Sequence, residues 1–257
     1  HLLKGPADLE AYLDLPIRPV AGSPDLRPIL QAETDLGDTG IAMIDTADPL
    51  CCAASLFSME EFTVVAMTEP TLFRRLLDRF AEHIWTQSEA VAQALPGRLW
   101  RIVGPEYASP PYLPPRLFRE YVCEYVRPMV HSIQRYGGFA RIHCHGNLRS
   151  VLRDILSLEP DGLDPIEPPP QGDVELHEVK ALCGDKVVLF GNLEASDIET
   201  LPTARFAQKV RKAIEEGAKG GGRGFVLMPS ACPYGRILSP LALSNYRCMV
   251  EMVGASV

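Results

Sequence analysis

The amino-acid sequence predicts an α/β protein whose parallel strands close into a (β/α)8 barrel. Six short apolar segments alternate with amphipathic helical segments along the chain. Helices between successive strands act as crossover connections, which makes the strands parallel. An open doubly wound sheet is the competing architecture, but no G-x-G-x-x-G run stands between a strand and a helix. Polar residues follow the strands instead, and this arrangement is typical of barrel enzymes.

The predicted strands are short apolar runs with turn-forming residues around them. They cover residues 40–45, 99–103, 140–145, 162–167, 186–191 and 224–229. The predicted helices have apolar residues at helical spacing and cover residues 70–95, 115–136, 148–158, 174–182, 203–216 and 240–253, with a shorter patch at 8–13. Pro128 lies inside one of the long helices, so we expect a bend there.

Polar side chains recur at the carboxyl ends of the predicted strands, and in chain order they are Asp45, Glu106, His143, His145, Glu167, Asn192 and Cys232. A (β/α)8 barrel carries its active site at this end, which favours the barrel over the open sheet. A complete barrel needs eight strands, whereas six are found and the chain begins with His1. We therefore expect residues 1–257 to form a single, N-terminally incomplete barrel domain whose first one or two βα units precede His1.

Composition and charge exclude several classes of protein. The net charge of −8 argues against a non-specific nucleic-acid binder, which needs a basic face. No apolar run approaches the roughly 20 residues of a membrane span, and the N-terminus has no signal-peptide pattern. Seven cysteines, an odd number, indicate reduced thiols and hence a cytoplasmic protein. We expect a small-molecule substrate, no nucleic-acid or membrane partner, and a homodimer as one alternative for the assembly.

The third strand end carries the residues that decide the chemistry. His143 and His145 are two apart in a strand-like run, so their side chains are expected on the same face. Together with Cys232 they would form a three-ligand set that zinc accepts, with a fourth position open for catalysis. Such a metal lowers the pKa of a bound thiol and makes it a nucleophile. The alternatives are a histidine cluster without metal and a Cys232 that is only a small buried apolar side chain.

Three other polar residues near these ends are candidates for the site. Glu106 and Glu167 could each be a fourth metal ligand or a hydrogen-bond partner of a ligand. Glu106 could equally pair with an arginine, and Glu167 could cap a neighbouring backbone. Arg149 follows the histidine-containing strand end and is a candidate for binding an anionic group.

Five strand-end motifs resemble, in the same order, those of the uroporphyrinogen decarboxylase superfamily. They are Gly104–Pro111, Ile142–Asn147, Leu163–Pro169, Leu189–Leu193 and Met228–Pro233. The resemblance extends over roughly residues 40–253. It includes the zinc methyltransferases that move methyl groups between a corrinoid protein and a thiol. It implies a barrel of the uroporphyrinogen decarboxylase type, a zinc cofactor, and a corrinoid carried by a partner protein.

The resemblance implies two activities. One is metal-dependent methyl transfer from a corrinoid or O-methyl donor to a thiol or similar acceptor. The other is decarboxylation of a porphyrinogen or a smaller carboxylated substrate. A barrel that only binds a small ligand is a third hypothesis. The methyltransferases carry His-x-Cys where this chain has His143 and His145. The decarboxylases use arginines and an aspartate from an N-terminal region that we expect to precede His1.

The candidate residues divide by role as follows. We assign catalysis to Glu106, His143, His145 and Glu167, substrate binding to Tyr107, Asn147, Arg149 and Asn192, and metal binding to His143, His145 and Cys232.

Overall fold

The computed structural model describes residues 1–17, 24–184 and 186–254. The chain divides into two compact units. The first comprises His1–His143 and Ser150–Pro160, and the second comprises Cys144–Arg149 and Asp161–Val257. In each unit, the strands pair in parallel and follow sequence order, and helices pack against them.

The first unit contains the N-terminal half of the predicted strand–helix alternation. Its strands are β1 (Met43–Ala47), β2 (Leu99–Val103) and β3 (Phe139–His143). Its helices are α1 (Pro6–Asp14), α2 (Arg27–Leu36), α3 (Pro49–Ala54), α4 (Met59–Thr68), α5 (Pro70–Ala94), α6 (Pro115–Phe118), α7 (Glu124–Arg135) and α8 (Leu152–Leu156). β2 pairs with both β1 and β3, so their carboxyl ends lie at the same edge of the sheet.

Helix α5 shows how the sequence places the core of the first unit. Pro70 occupies its first turn, where a missing N–H costs nothing. Its buried residues are Leu72, Phe73, Leu76, Leu77, Ala81, Ser88 and Ala92, mostly at helical spacing. Phe73 packs against Phe62 and Tyr121, with ring centroids 5.8 and 5.1 Å away. The Tyr121 hydroxyl donates to the Ala66 carbonyl oxygen, so this buried aromatic cluster keeps its polar atom paired.

The predicted helix around Pro128 is irregular in the structure. A π-helical turn, Arg119–Cys123, separates α6 from α7, and Pro128 lies inside α7. Proline lacks the N–H that would donate to the carbonyl of Glu124, and π turns are recognised causes of helix bending. The irregularity therefore begins before the proline from which we predicted a bend.

The second unit repeats the alternation with three strands and four helices among its described residues. Its strands are β4 (Gly162–Asp164), β5 (Val188–Leu193) and β6 (Phe225–Pro229). Its helices are α9 (Leu176–Cys183), α10 (Ala195–Thr200), α11 (Thr203–Gly217) and α12 (Pro240–Gly254). The buried Asn245 of α12 donates to the carbonyl oxygens of Ile198 and Leu201, which fixes the end of α10.

The structure confirms all six predicted strands, but only β2 has both ends as predicted. β1 and β5 begin and end two or three residues later than predicted, and β6 begins one residue later. The third strand ends at His143 rather than at residue 145, and the fourth ends at Asp164 rather than at residue 167. His145 and Glu167 therefore lie in the loops that follow the strands. The alternation of side chains along a strand consequently does not extend to His145, and the placement of both histidines on one face stays a prediction.

Four helices were missed: α2, α3, α4 and α10. α4 carries a readable signal, because Ser58 and Glu61 form a capping box at its start. α3 is also signalled, since Asp48 caps it and Pro49 is its first residue.

Candidate functional site at the strand ends

The second unit brings together two of the predicted site residues, His145 and Glu167. Nδ1 of His145 lies 2.8 Å from Oε1 of Glu167, and the backbone N–H of Gly146 donates to Oε2 at 2.8 Å. Both carboxylate oxygens are therefore engaged, and Glu167 is buried. A neutral His145 that donates through Nδ1 carries its lone pair on Nε2, which is the state of a metal-ligating imidazole. The predicted backbone-capping role of Glu167 is present as well.

The loop that carries Glu167 has a strained backbone conformation at Ile166. Ile166 is fully buried at φ 56°, in the left-handed region that a β-branched residue rarely adopts. Gly172 lies so close behind that a side chain there would overlap the carbonyl oxygen of Glu167. The N–H of Gly172 donates to the Pro168 carbonyl oxygen at 3.1 Å and closes the turn. The backbone thus fixes where the Glu167 carboxylate can reach.

A buried carboxyl group that the sequence did not predict lies after β5. Glu194 is 5% exposed, and burial, followed by the negative charge of Glu167, raises its pKa to about 7. Ser230 donates from Oγ to Oε2 of Glu194 at 3.3 Å and accepts the N–H of Ala195 at 3.1 Å. The N–H of Ser230 donates to the Leu193 carbonyl oxygen. Glu194 can therefore hold or release a proton near neutral pH.

The first unit has its own buried carboxyl group, Asp48, directly after β1. Oδ1 of Asp48 accepts the N–H of Cys51 at 2.7 Å and caps α3. Gly104, at φ 127°, lies so close to Asp48 that any side chain there would collide with the carboxyl group. The N–H of Gly104 donates to Oε2 of Glu106 at 2.9 Å. Burial, reinforced by the negative charge of Glu106, raises the pKa of Asp48 well above its usual range.

We expect Asp48→Asn to leave stability unchanged near pH 4 and to increase it at pH 8. The folded-state pKa of Asp48 lies above its unfolded value, so the wild type loses stability as pH rises past the unfolded pKa. Each pKa unit contributes about 1.4 kcal/mol. An amide keeps the acceptor for the Cys51 N–H and cannot ionise. Urea unfolding at both pH values measures the effect, with exposed Asp38→Asn as control; equal gains at both pH values would contradict it.

The remaining predicted residues lie in different environments. Tyr107 is half-buried, packs edge-on against Phe62 with centroids 6.0 Å apart, and has its pKa raised mainly by burial. Arg149 is exposed, and its side chain bonds to the Asp173 carbonyl oxygen and to Glu178 at 2.8 Å. It is therefore already paired in this structure. Cys232 is exposed, so its interpretation as a buried apolar side chain was wrong.

His143 is the last residue of β3 and is half-buried, as is Asn147 in the loop that follows. Asn192 lies in β5 and is buried. The zinc set of His143, His145 and Cys232 stays a prediction.

The sequence matches one family model over most of its length. The model described as "Uroporphyrinogen decarboxylase (URO-D)" matches residues 42–255. The chain belongs to the uroporphyrinogen decarboxylase family. The family predicted from the five strand-end motifs is therefore confirmed.

The solved structures confirm the fold of this family member. The structure of the chain resembles that of a methyltransferase from Methanosarcina mazei, with a TM-score of 0.65. The match covers 89% of the chain, and the sequence identity is 20%. The matched region spans 64% of that methyltransferase, so the chain is shorter than this relative. No curated protein sequence matches the chain. None of the helices that the structure of this chain describes is both long enough and apolar enough to cross a bilayer.

Proposed function

We propose that this uroporphyrinogen decarboxylase family protein is a metal-dependent methyltransferase whose zinc ligands are His143, His145 and Cys232. The hydrogen bond between Nδ1 of His145 and Glu167 carries the proposal. A carboxylate on one imidazole nitrogen is the usual support of a histidine that binds metal through the other nitrogen. Two imidazoles and an exposed thiol also suit zinc chemically. Bound there, zinc would lower the pKa of an acceptor thiol.

The side chains of the protein have separate tasks in this proposal. Glu167 fixes the ring and tautomer of His145, and its own position is fixed by Gly146 and the tight turn at Gly172. Glu194 holds a proton that it can release near pH 7. Asn147 and Asn192 are proposed to bind the substrate, and a corrinoid protein or an O-methyl compound is the proposed methyl donor.

Decarboxylation is the second candidate, and Glu194 is the observation that favours it. Loss of carbon dioxide leaves a carbanion that needs a proton, and a carboxyl group with a pKa of about 7 can supply one. The pairing of Arg149 with Glu178 argues against a polycarboxylate substrate held by that arginine. Methyl transfer therefore remains the first choice.

Metal substitution tests the proposal directly. We expect the protein loaded with Co²⁺ to show thiolate-to-metal absorption, and we expect Cys232→Ser to abolish it. His145→Ala should remove the strand-end metal and methyl transfer to a thiol together, because a two-ligand remnant binds far more weakly. Exposed His131→Ala is the matched control. Absence of the thiolate band in the wild type, or full activity of His145→Ala, would overturn the proposal.

A further inference from the structure

The second unit contains a cavity of about 260 Å³ between the end of β5 and helix α11. Its charged lining residues are Glu175, Glu194, Asp197, Glu216, Lys209 and Lys212. Four carboxyl groups face two ammonium groups, so the lining carries an excess of negative charge. Such a cavity favours a cation over an anion.

Two lining residues of this cavity, Glu175 and Glu216, meet a third potential metal ligand, His177, which lies outside the lining. The donor atoms of Glu175, His177 and Glu216 all lie within 4.8 Å of one another. Glu175 caps α9, His177 lies in the first turn of α9, and Glu216 lies in the last turn of α11. Glu216 also accepts the backbone N–H of His177 at 3.3 Å. Two helices therefore hold the donors in place before any ion binds.

A side-chain cation already occupies this group of donors. Nζ of Lys212 lies 2.9 Å from Oε2 of Glu175 and 3.8 Å from Oε1 of Glu216. The Lys212 side chain is 57% exposed, so its ammonium group can move into water at little cost. A divalent ion in its place would neutralise both carboxylates, which a single ammonium group cannot do.

Another lining residue of the cavity, Glu194, is a buried carboxyl group with one oxygen that is unpaired within the described part of the chain. Glu194 lines the same cavity and is 5% exposed, yet its Oε1 has no hydrogen-bond partner among the residues that the structure describes. A buried carboxyl oxygen without a partner is costly. Positive charge in the cavity would offset that cost.

We propose that Glu175, His177 and Glu216 bind a divalent transition-metal ion that displaces Lys212. One imidazole with two carboxylates suits zinc, manganese or cobalt. The ion would link the start of α9 to the end of α11. None of these residues belongs to the set proposed for methyl transfer, so the two sites stand or fall separately.

Titration of the full chain with Co²⁺ and Zn²⁺, after chelator treatment, tests this site. The background is the double variant His145→Ala/Cys232→Ser, in which the strand-end set has lost two ligands. We expect one remaining site with nitrogen and oxygen ligands and no thiolate absorption. His177→Ala or Glu216→Gln should weaken binding at least about tenfold, and Lys212→Met should tighten it about tenfold.

The control is His131→Ala in the same background, which should bind as the double variant does. Far-UV circular dichroism checks folding, and His177→Gln replaces His177→Ala if the latter unfolds. No binding in the double variant, unchanged binding after the His177 substitution, or weaker binding after Lys212→Met would each overturn the proposal. Failure of the methyltransferase proposal would appear elsewhere, as a missing thiolate band in the wild type.

Discussion

Glu167→Gln is expected to lower the affinity of the strand-end zinc site about 10- to 100-fold while His145 remains in place. The carboxylate accepts from Nδ1 of His145 and from the N–H of Gly146, so it fixes both the ring and the loop that carries it. An amide keeps the size of the side chain but loses the negative charge that makes the imidazole a stronger electron-pair donor to the metal. Competition with a zinc chelator measures the change.

The matched control for Glu167→Gln is Glu178→Gln. Glu178 belongs to the same unit and also accepts a hydrogen bond from a side-chain nitrogen, that of Arg149, but it is much more exposed. We expect its variant to keep the zinc affinity of the wild type. Equal affinities of Glu167→Gln and wild type would show that the hydrogen bond to His145 does not support a metal.

Glu194→Gln is expected to stabilise the protein by about 3 kcal/mol at pH 8 and to change little at pH 4. The pKa of Glu194 is about 7 in the folded protein and starts from a usual value of 4.5. Because the folded value is the higher one, the wild type is stable below pH 4.5 and loses this stability as pH rises to about 7. The variant has no such loss.

Urea unfolding between pH 4 and pH 8 measures this dependence, with the exposed Glu215→Gln as control. Glu167→Gln adds a second check, because removal of its charge should lower the pKa of Glu194. If the free energies of unfolding of the wild type and of Glu194→Gln change with pH in the same way, the pKa of Glu194 is not raised and the prediction is wrong.

The regular elements were predictable where one pattern determined them. Leu99–Val103 was predicted to the residue because its apolar run is bounded by a proline–glycine turn and by Gly104. The end of β3 was not predicted correctly, because the spacing of apolar residues does not show where strand pairing stops. The alternating pattern of the strand continues in the sequence to His145, two residues beyond the observed end. The capping box of Ser58 and Glu61 was present in the sequence and was missed.

The site was predictable in its residue types but not in its electrostatics. His145 and Glu167 were both identified from their positions at the ends of predicted strands, and the structure pairs them. Glu194 and Asp48 were missed, because a shifted pKa arises from burial and from charges that are distant in sequence. The spacing of residues in the sequence does not show which carboxyl groups become buried or which charges lie beside them.

The hydrogen bonds of Ser230 separate a fixed part of the chain from a replaceable one. Ser230 fastens the end of β6 to Leu193, Glu194 and Ala195, whereas residues 231–237 beyond it are all exposed. Insertions or exchanges in that segment would not disturb the ladder between β5 and β6. For protein engineering, Ser230 is therefore a natural splice point, at which a loop from another family member can be grafted, provided that the graft keeps the proposed zinc ligand Cys232.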